Sequence, residues 1–407
     1  MRLWEFSGGR AIRLRLRTWF DSWRRHHNSE DATSLASIFE FDPEFVRRLL
    51  ETLRLSPASF RSAISREDEM FLHQLEGYRG NRERACVAYM SVGKQMMDEV
   101  RQLAHWAFGG WEACESVLDF ASGYGRFARH LVQEVSPQRV WTSDVYADAV
   151  RFNREQLGVG GFASTTDPDA FECPRRFDLV FVSSLFSHLP SHRFVAWLAK
   201  LYSLLSDRGL LVFTTQGIDL ADDPAGDFVF QPISESRSLD VQEYGLTFVS
   251  QAFVAGAIRA AIGDGAAWRG FPHGYLGFQD LYVVSRDPGR RFESLRYDPG
   301  LAGHVDDCRR VGDQIGLAGW AADLGASSPP RVQVFSGARC LAECVPTVER
   351  PDIAKQLGSD AFSRAGWWCR IAAGAVGSDD WITIRIARGA ELERVLSLGK
   401  LKAMLRR

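Results

Sequence analysis

The sequence predicts an α/β protein in which helices cover a parallel sheet on both faces, with a helical segment before the sheet and a β-sandwich after it. Short apolar runs alternate with amphipathic helical stretches over residues 116–215, which is typical of such a sheet. Cap-and-proline signals precede this region, and runs with a period of two residues follow it. At 407 residues, the chain is long enough for two or three domains.

The composition excludes several classes of protein. Hydrophobic residues make up 45% and charged residues 25% of the chain, as in a soluble globular protein rather than a disordered one. The formal net charge of -2 disfavours a nucleic-acid partner. The seven cysteines form no CxxC pair, so we expect free thiols in a reducing compartment and no metal site. No apolar run reaches the roughly 18 residues that span a bilayer, and we expect a cytoplasmic protein.

The sequence predicts a basic amphipathic segment over residues 1–30. Arginines recur through it, and Trp19, Phe20 and Trp23 fall near helical spacing. Such a helix either lies on an anionic membrane surface, which would place the protein peripherally on the inner membrane face, or packs its aromatic stripe on the protein's own core. Both interpretations remain open.

Capping signals indicate a helical preamble over residues 31–110. Asp42 followed by Pro43 is typical of an N-cap and a first-turn proline, and Ser56 before Pro57 repeats the signal. The helices predicted here cover residues 43–53, 56–65 and 84–107.

Residues 111–290 hold the predicted sheet. Apolar runs predict seven strands, at residues 117–120, 140–143, 161–164, 177–183, 210–215, 246–249 and 281–285. Helices are predicted between them at residues 126–135, 147–157 and 193–205. The glycine-rich run 271–280, which contains His273, Gln279 and Asp280, is either a substrate loop or a turn into the last hairpin.

Residues 300–407 predict a separate, small β-sandwich. Period-two runs occur at 332–334 and 382–386, and the spacing of leucines over 392–405 predicts a terminal helix. Four tryptophans in this region either stack on sugars or belong to the core: Trp320, Trp367, Trp368 and Trp381.

The stretch that carries chemistry follows the first predicted strand, over residues 117–126. Gly123 and Gly125 permit a tight turn and the close approach of a ligand. Asp144 ends the next strand, where a carboxylate can hold both hydroxyls of a ribose. The glycine spacing also fits a dinucleotide site, so an oxidoreductase or epimerase is the alternative. Asp119 favours another cofactor, because a carboxylate repels a pyrophosphate and attracts an ammonium or a sulfonium group.

This stretch resembles class I S-adenosylmethionine-dependent methyltransferases, over about residues 89–287. The resemblance implies a Rossmann-like seven-stranded sheet with S-adenosylmethionine as the cofactor. Asp119 would then orient the ammonium group, Asp144 would bind the ribose and Val145 would flank the adenine. The loop around the amino-acid part of the cofactor would be formed by Ala121, Ser122, Gly123 and Gly125. Ala121 stands where the family usually has glycine.

The resemblance implies three further cofactor contacts, each with a plainer alternative. Asp167, with Asp169 as its competitor, would recognise the adenine amino group, or either would cap a turn. Ser183 would line the rim at the end of the fourth strand. Tyr89 would contact the cofactor from the preceding helix, or pack in its core.

The predicted reaction is methylation of a hydroxyl oxygen on a sugar or related polar acceptor, either a small molecule or a glycan. His188 follows the fourth strand and is the candidate base, since histidine titrates near neutral pH; packing of the next loop is its alternative role. Gly319-Trp-Ala-Ala-Asp323 resembles β-sandwich modules attached to glycosyltransferases and methyltransferases of bacterial surface-polysaccharide pathways. A non-catalytic scaffold that binds a glycan or a protein is the third hypothesis.

Overall fold

The computed structural model describes residues 38–221, 224, 226–234, 236, 239–326, 328–390 and 392–405. The predicted basic helix of residues 1–30 lies outside the described residues. Within them, no helix combines the length and the apolar character needed to cross a membrane.

In the described part of the chain, three helices precede the sheet: α1 Pro43–Leu53, α2 Glu69–Gly77 and α3 Arg82–Phe108. Asp42 caps α1 as predicted, because its carboxylate accepts the N–H groups of Glu44 and Phe45. The helix predicted over residues 56–65 is wrong. The carbonyl groups of Arg61 and Ala63 accept hydrogen bonds from the distant Arg129 guanidinium instead of closing helical turns.

Among the described residues, the central sheet has nine strands, and its long parallel part agrees with the predicted α/β class. Its strands are β1 Val117–Phe120, β2 Val140–Asp144, β3 Gly160–Ala163, β4 Phe177–Val182, β5 Leu205–Gly217, β6 Phe228–Gln231, β7 Leu246–Val249, β8 Ala267–Tyr275 and β9 Gln279–Ser285. Its helices are α4 Ala128–Leu131, α5 Ala147–Leu157, α6 Ser191–Ser203 and α7 Gln251–Ile262.

Seven of these strands follow the order β3-β2-β1-β4-β5-β9-β8, with β9 antiparallel to both neighbours. The strand predicted at residues 246–249 is confirmed as β7, which belongs to the sheet but lies outside this path. Because β9 occupies one edge of β5 as far as Gln216, β7 pairs with the other edge, beyond the end of β4. The hairpin β6–β7 therefore extends the sheet at its carboxyl end, and β8 pairs with β9 at the end of the seven-stranded path.

Both faces of the sheet are buried, and β4 shows this directly. Leu179 and Phe181 belong to one hydrophobic cluster, whereas Val180 and Val182 belong to another on the opposite face. This two-sided burial explains why the strand reads as a continuous apolar run. The helix predicted over residues 126–135 shortens to the single turn α4.

The C-terminal region is β-rich, with strands β10 Leu301–Val311, β11 Gln314–Asp323, β12 Arg331–Ser336, β13 Arg339–Cys344, β14 Gly366–Ala372, β15 Trp381–Arg388 and β16 Leu392–Lys400, and helices α8 Pro351–Gln356 and α9 Leu401–Met404. They form antiparallel sheets of three and four strands that contribute to one shared hydrophobic cluster. The helix predicted over residues 392–405 is wrong. Most of this segment is β16, which pairs along the buried strand β15, and only its last turn is helical.

The four C-terminal tryptophans differ in exposure. Trp367 and Trp381 are buried, and Trp381 packs with α1, donating from Nε1 to Glu44 at 3.1 Å. Trp320 is partly buried, and Trp368 is 52% exposed. Trp367 and Trp381 are therefore core residues, whereas about half of Trp368 is exposed to solvent.

Candidate active site

The loop between β1 and α4 contains three left-handed residues in alternate positions. The φ angles are 56° at Ala121, 51° at Gly123 and 75° at Gly125. Ser122 donates its N–H to Ser143 at 3.1 Å, which ties the loop to the end of β2. An alanine in this conformation carries strain of about 1–2 kcal/mol, whereas a glycine adopts it without this cost.

The loop is tightly packed at Gly125, whereas the space next to Gly123 is open. A Cβ atom on Gly125 would collide with Asn153 Oδ1 and lie 2.9 Å from Leu157 Cδ1, whereas one on Gly123 would meet nothing within 4 Å. Asn153 donates from Nδ2 to the Gly123 carbonyl at 2.9 Å. Sequence reasoning missed Asn153, because its partner lies 30 residues away in the loop that it supports.

Asp119 lies on β1 directly before this loop and is only 2% exposed. Burial, reinforced by the nearby Asp144 and opposed by Arg126, raises its pKa to about 8. Its Oδ2 atom is buried and has no hydrogen-bond partner among the described residues. A buried, unpaired carboxylate oxygen needs a partner, and the ammonium group of S-adenosylmethionine fits this need.

Asp144 ends β2 and faces the same loop. Its Oδ2 accepts the Gly123 N–H at 2.8 Å, and its Oδ1 accepts the Tyr146 N–H at 3.0 Å. Burial raises its pKa, while hydrogen bonds from the backbone of Tyr146, Gly123 and Val145 act in the opposite direction. Each carboxylate oxygen can accept a second hydrogen bond, so the side chain is oriented and still able to bind the ribose. Val145 follows directly in the chain, beside this carboxylate.

Tyr89 lies in the helical core rather than on an open side of the loop. It is fully buried on α3, and its hydroxyl donates to Asp68 Oδ2 at 2.6 Å. Its ring centroid lies 5.5 Å from the guanidinium carbon of Arg129, which in turn donates to the carbonyls of Gly125 and Tyr124. Tyr89 thus supports the loop through Arg129. Sequence reasoning missed Arg129, since no local pattern marks a buried arginine.

Asp167 follows β3, as predicted, but its carboxylate already has a cationic partner. Arg193 Nη1 lies 3.0 Å from Asp167 Oδ1, and Arg193 Nε lies 2.7 Å from Glu243 Oε2. Asp169 is exposed. The adenine contact predicted for Asp167 remains a prediction.

The end of β4 carries hydroxyl groups held by the hairpin β8–β9. Ser183 Oγ lies 2.8 Å from the Tyr275 hydroxyl. Ser184 has a φ of 62°, donates its N–H to Thr214 Oγ1 at 2.9 Å, and holds its Oγ 3.2 Å from Gln279 Nε2. No local pattern in the sequence predicted that the Tyr275 hydroxyl contacts Ser183. The rim at Ser183 is therefore polar and uncharged.

His188 lies further along the same segment. Its Nδ1 is 2.7 Å from the Gly245 carbonyl, and its ring stacks on Tyr244 with centroids 4.6 Å apart. Because a carbonyl only accepts hydrogen bonds, Nδ1 carries the proton in the neutral ring and Nε2 carries the lone pair. In the described part of the chain, no group of three or more His, Cys, Asp or Glu side chains is placed to hold a metal ion.

A family model described as a methyltransferase domain matches residues 118–211. The chain contains a methyltransferase domain. The match spans the glycine loop, Asp144 and the exit of β4, and the domain uses S-adenosylmethionine as its cofactor. The alternative of a dinucleotide-dependent enzyme is not supported.

Solved structures similar to this chain include several methyltransferases. The DhpI–SAH complex is 22% identical, with a TM-score of 0.36, and the match covers 55% of this chain and 98% of that one. CalS10, an amino pentose methyltransferase from Micromonospora echinaspora, is 18% identical, with a TM-score of 0.36. The match covers 49% of this chain and 94% of CalS10. An O-methyltransferase family protein from Burkholderia thailandensis is 19% identical with a TM-score of 0.38 and coverage of 69% and 72%. No curated protein matches the sequence.

Proposed function

We propose that this methyltransferase transfers the methyl group to a hydroxyl oxygen of a sugar or glycan-related acceptor. The observation that carries the proposal is the position of His188 beyond the carboxyl end of β4, with its Nδ1 2.7 Å from the Gly245 carbonyl. Ligands of such sheets bind outside the carboxyl ends of the strands. A neutral imidazole there is suited to accept the proton of a hydroxyl group.

When bound, S-adenosylmethionine would supply a methyl group activated by a sulfonium, for in-line transfer to the acceptor oxygen with a neutral thioether as the leaving group. The chain's own residues would bind and orient the cofactor and the acceptor, and they would exclude water from the site. Asp119 would hold the ammonium group, Asp144 would hold the ribose hydroxyls, and the loop at Gly123 would lie against the amino-acid part of the cofactor. His188 Nε2 accepts the hydroxyl proton. Because the leaving thioether is neutral, alignment contributes more than a strong base.

The acceptor side supports a neutral, hydroxyl-bearing substrate. Ser183, Ser184 and Gln279 offer hydrogen-bond donors and acceptors without a net charge at the rim. A sugar hydroxyl makes the same kinds of hydrogen bond. The proposal also links the C-terminal β-rich region to surface polysaccharides. It takes this region to be folded as a β-sandwich.

The test is methyl transfer from isotopically labelled S-adenosylmethionine to cell extract and to p-nitrophenyl glycosides of rhamnose, mannose, galactose and glucose. We expect labelled products with a new methyl ether. His188→Ala should lower kcat by roughly 100-fold with an unchanged cofactor affinity, and Tyr244→Phe, which keeps the stacking ring, serves as the control. Cofactor binding without any labelled ether would contradict O-methylation and favour the scaffold hypothesis. Unchanged turnover in His188→Ala would remove His188 from the reaction.

A further inference from the structure

A second polar group lies at the carboxyl edge of the sheet, one strand away from the exit of β4. Asp219 sits in the single turn Ile218–Leu220 that follows β5. Its Oδ2 lies 3.0 Å from His273 Nε2, and the His273 N–H donates to Asp280 Oδ1 at 2.9 Å. Because β5 continues past its last pairing with β4 at Phe213, the Asp219 turn lies beyond the rim of Ser183 and Ser184.

Asp219 and His273 form an oriented hydrogen-bonded pair with one open side. The Asp219 side chain is 49% exposed, whereas that of His273 is 17% exposed. The hydrogen bond from His273 lowers the pKa of Asp219, and the same bond raises the pKa of His273. At neutral pH, Asp219 is therefore a carboxylate, and it can accept a hydrogen bond on its exposed side.

The backbone at His273 is held in a conformation that an L-residue rarely adopts. Its φ is 50°, and such strain persists only where the surroundings enforce it. The buried Asp280 fixes the N–H, and Asp219 fixes the ring. Both contacts orient the imidazole toward Asp219, which indicates that the position of the Asp219 carboxylate is specified by the fold.

The C-terminal region packs directly against this pair. Gly358, which follows α8, has a φ of 65°, and a Cβ atom placed on it would lie 2.5 Å from His273 Nε2. In the turn of the β8–β9 hairpin, a Cβ atom on Gly277 would lie 3.0 Å from Leu324 and 3.4 Å from Leu357. The β-rich region thus forms the wall behind His273, with glycine where no side chain fits.

We propose that Asp219 binds a hydroxyl group of the acceptor, that His273 is its positioning residue, and that the C-terminal region builds this part of the acceptor site through Gly358. The inference rests on the proposed O-methylation and names the class of acceptor: a neutral polyol such as an uncharged sugar. The Asp219 carboxylate repels a phosphate or a uronate at this place. The C-terminal region therefore takes part in the choice of acceptor.

The experiment compares Asp219→Asn and Gly358→Ala with the wild type, using the p-nitrophenyl glycoside that the wild type methylates best. We expect a rise of KM for the glycoside of at least tenfold in Asp219→Asn and at least fivefold in Gly358→Ala. The Kd of S-adenosylmethionine, measured by calorimetry, should stay within twofold. Gly337→Ala is the matched control, since Gly337 has a φ of 58° in the same region but nothing within 4 Å of its Cβ position; its KM should not change.

Glycoside methylation with an unchanged KM in Asp219→Asn would overturn this inference and leave the proposed function standing. If the wild type binds cofactor but methylates no glycoside, the proposed function fails, and saturation-transfer NMR with the same glycosides decides the inference by itself. Glycoside binding that is lost in Asp219→Asn and kept in Gly337→Ala would support it. No glycoside binding, or binding equal in both variants, would overturn it.

Discussion

Binding of S-adenosylmethionine is expected to release a proton from Asp119. The pKa of this buried carboxyl is about 8, so about one-tenth of the protein holds the ionised form at pH 7. A cofactor carrying an ammonium and a sulfonium group binds the ionised form, and each complex formed at pH 7 releases about 0.9 proton. The affinity should then rise roughly tenfold from pH 6 to 7 and roughly fivefold from pH 7 to 8, with a plateau above the pKa.

Isothermal titration calorimetry at pH 7 in phosphate and in Tris measures this proton release, because the two buffers differ in ionisation enthalpy. Asp119→Asn should bind roughly 10- to 100-fold more weakly at pH 8.5, from the loss of a hydrogen bond to a charged group, and should show a flatter pH profile. Glu99→Gln is the control, since Glu99 is also buried with a pKa of about 8 and should leave the proton release unchanged. Equal heats in both buffers together with a pH-independent wild-type affinity would refute the reasoning.

Two further predictions concern stability. Gly125→Ala should lower the free energy of unfolding by about 2–3 kcal/mol, from left-handed strain and the displaced Asn153 hydrogen bond. Gly123→Ala, which has room for its Cβ atom, should lose only the strain of about 1–2 kcal/mol; equal losses in urea denaturation would argue against the role of Asn153. Trp367→Ala should cost about 3–5 kcal/mol, because Trp367 is 2% exposed. Trp368→Ala should cost under about 1 kcal/mol, and calorimetric melting that ranks the pair in reverse would contradict the packing described.

The sequence was informative where each element could be recognised from its own residues. Strands such as β4 are buried on both faces, so an apolar run marks them whatever their neighbours are. Strand β8 escaped prediction because Gly270, Pro272 and Gly274 interrupt its pattern. The segment 392–400 was misassigned, since its leucines fit a helix locally, and only the partner strand β15 decides in favour of a strand.

In the candidate site, too, some residues can be recognised from the local sequence and others only from the folded structure. The glycine loop with Asp119 and the placement of Asp144 follow from residues close together in the sequence. Arg129 reaches carbonyl groups 66 and 68 positions away, and the contact between Gly358 and His273 joins two separate regions. Contacts of this kind depend on the assembled fold, and no local period or spacing encodes them.

A crystal structure of the protein with S-adenosylhomocysteine tests the central claim most directly. The account predicts the amino group of this product at Asp119 Oδ2, with both ribose hydroxyls at the Asp144 carboxylate and the backbone of Gly123 against the amino-acid part. A product bound elsewhere, or a carboxylate at residue 119 that the protein's own groups satisfy in the complex, would contradict it.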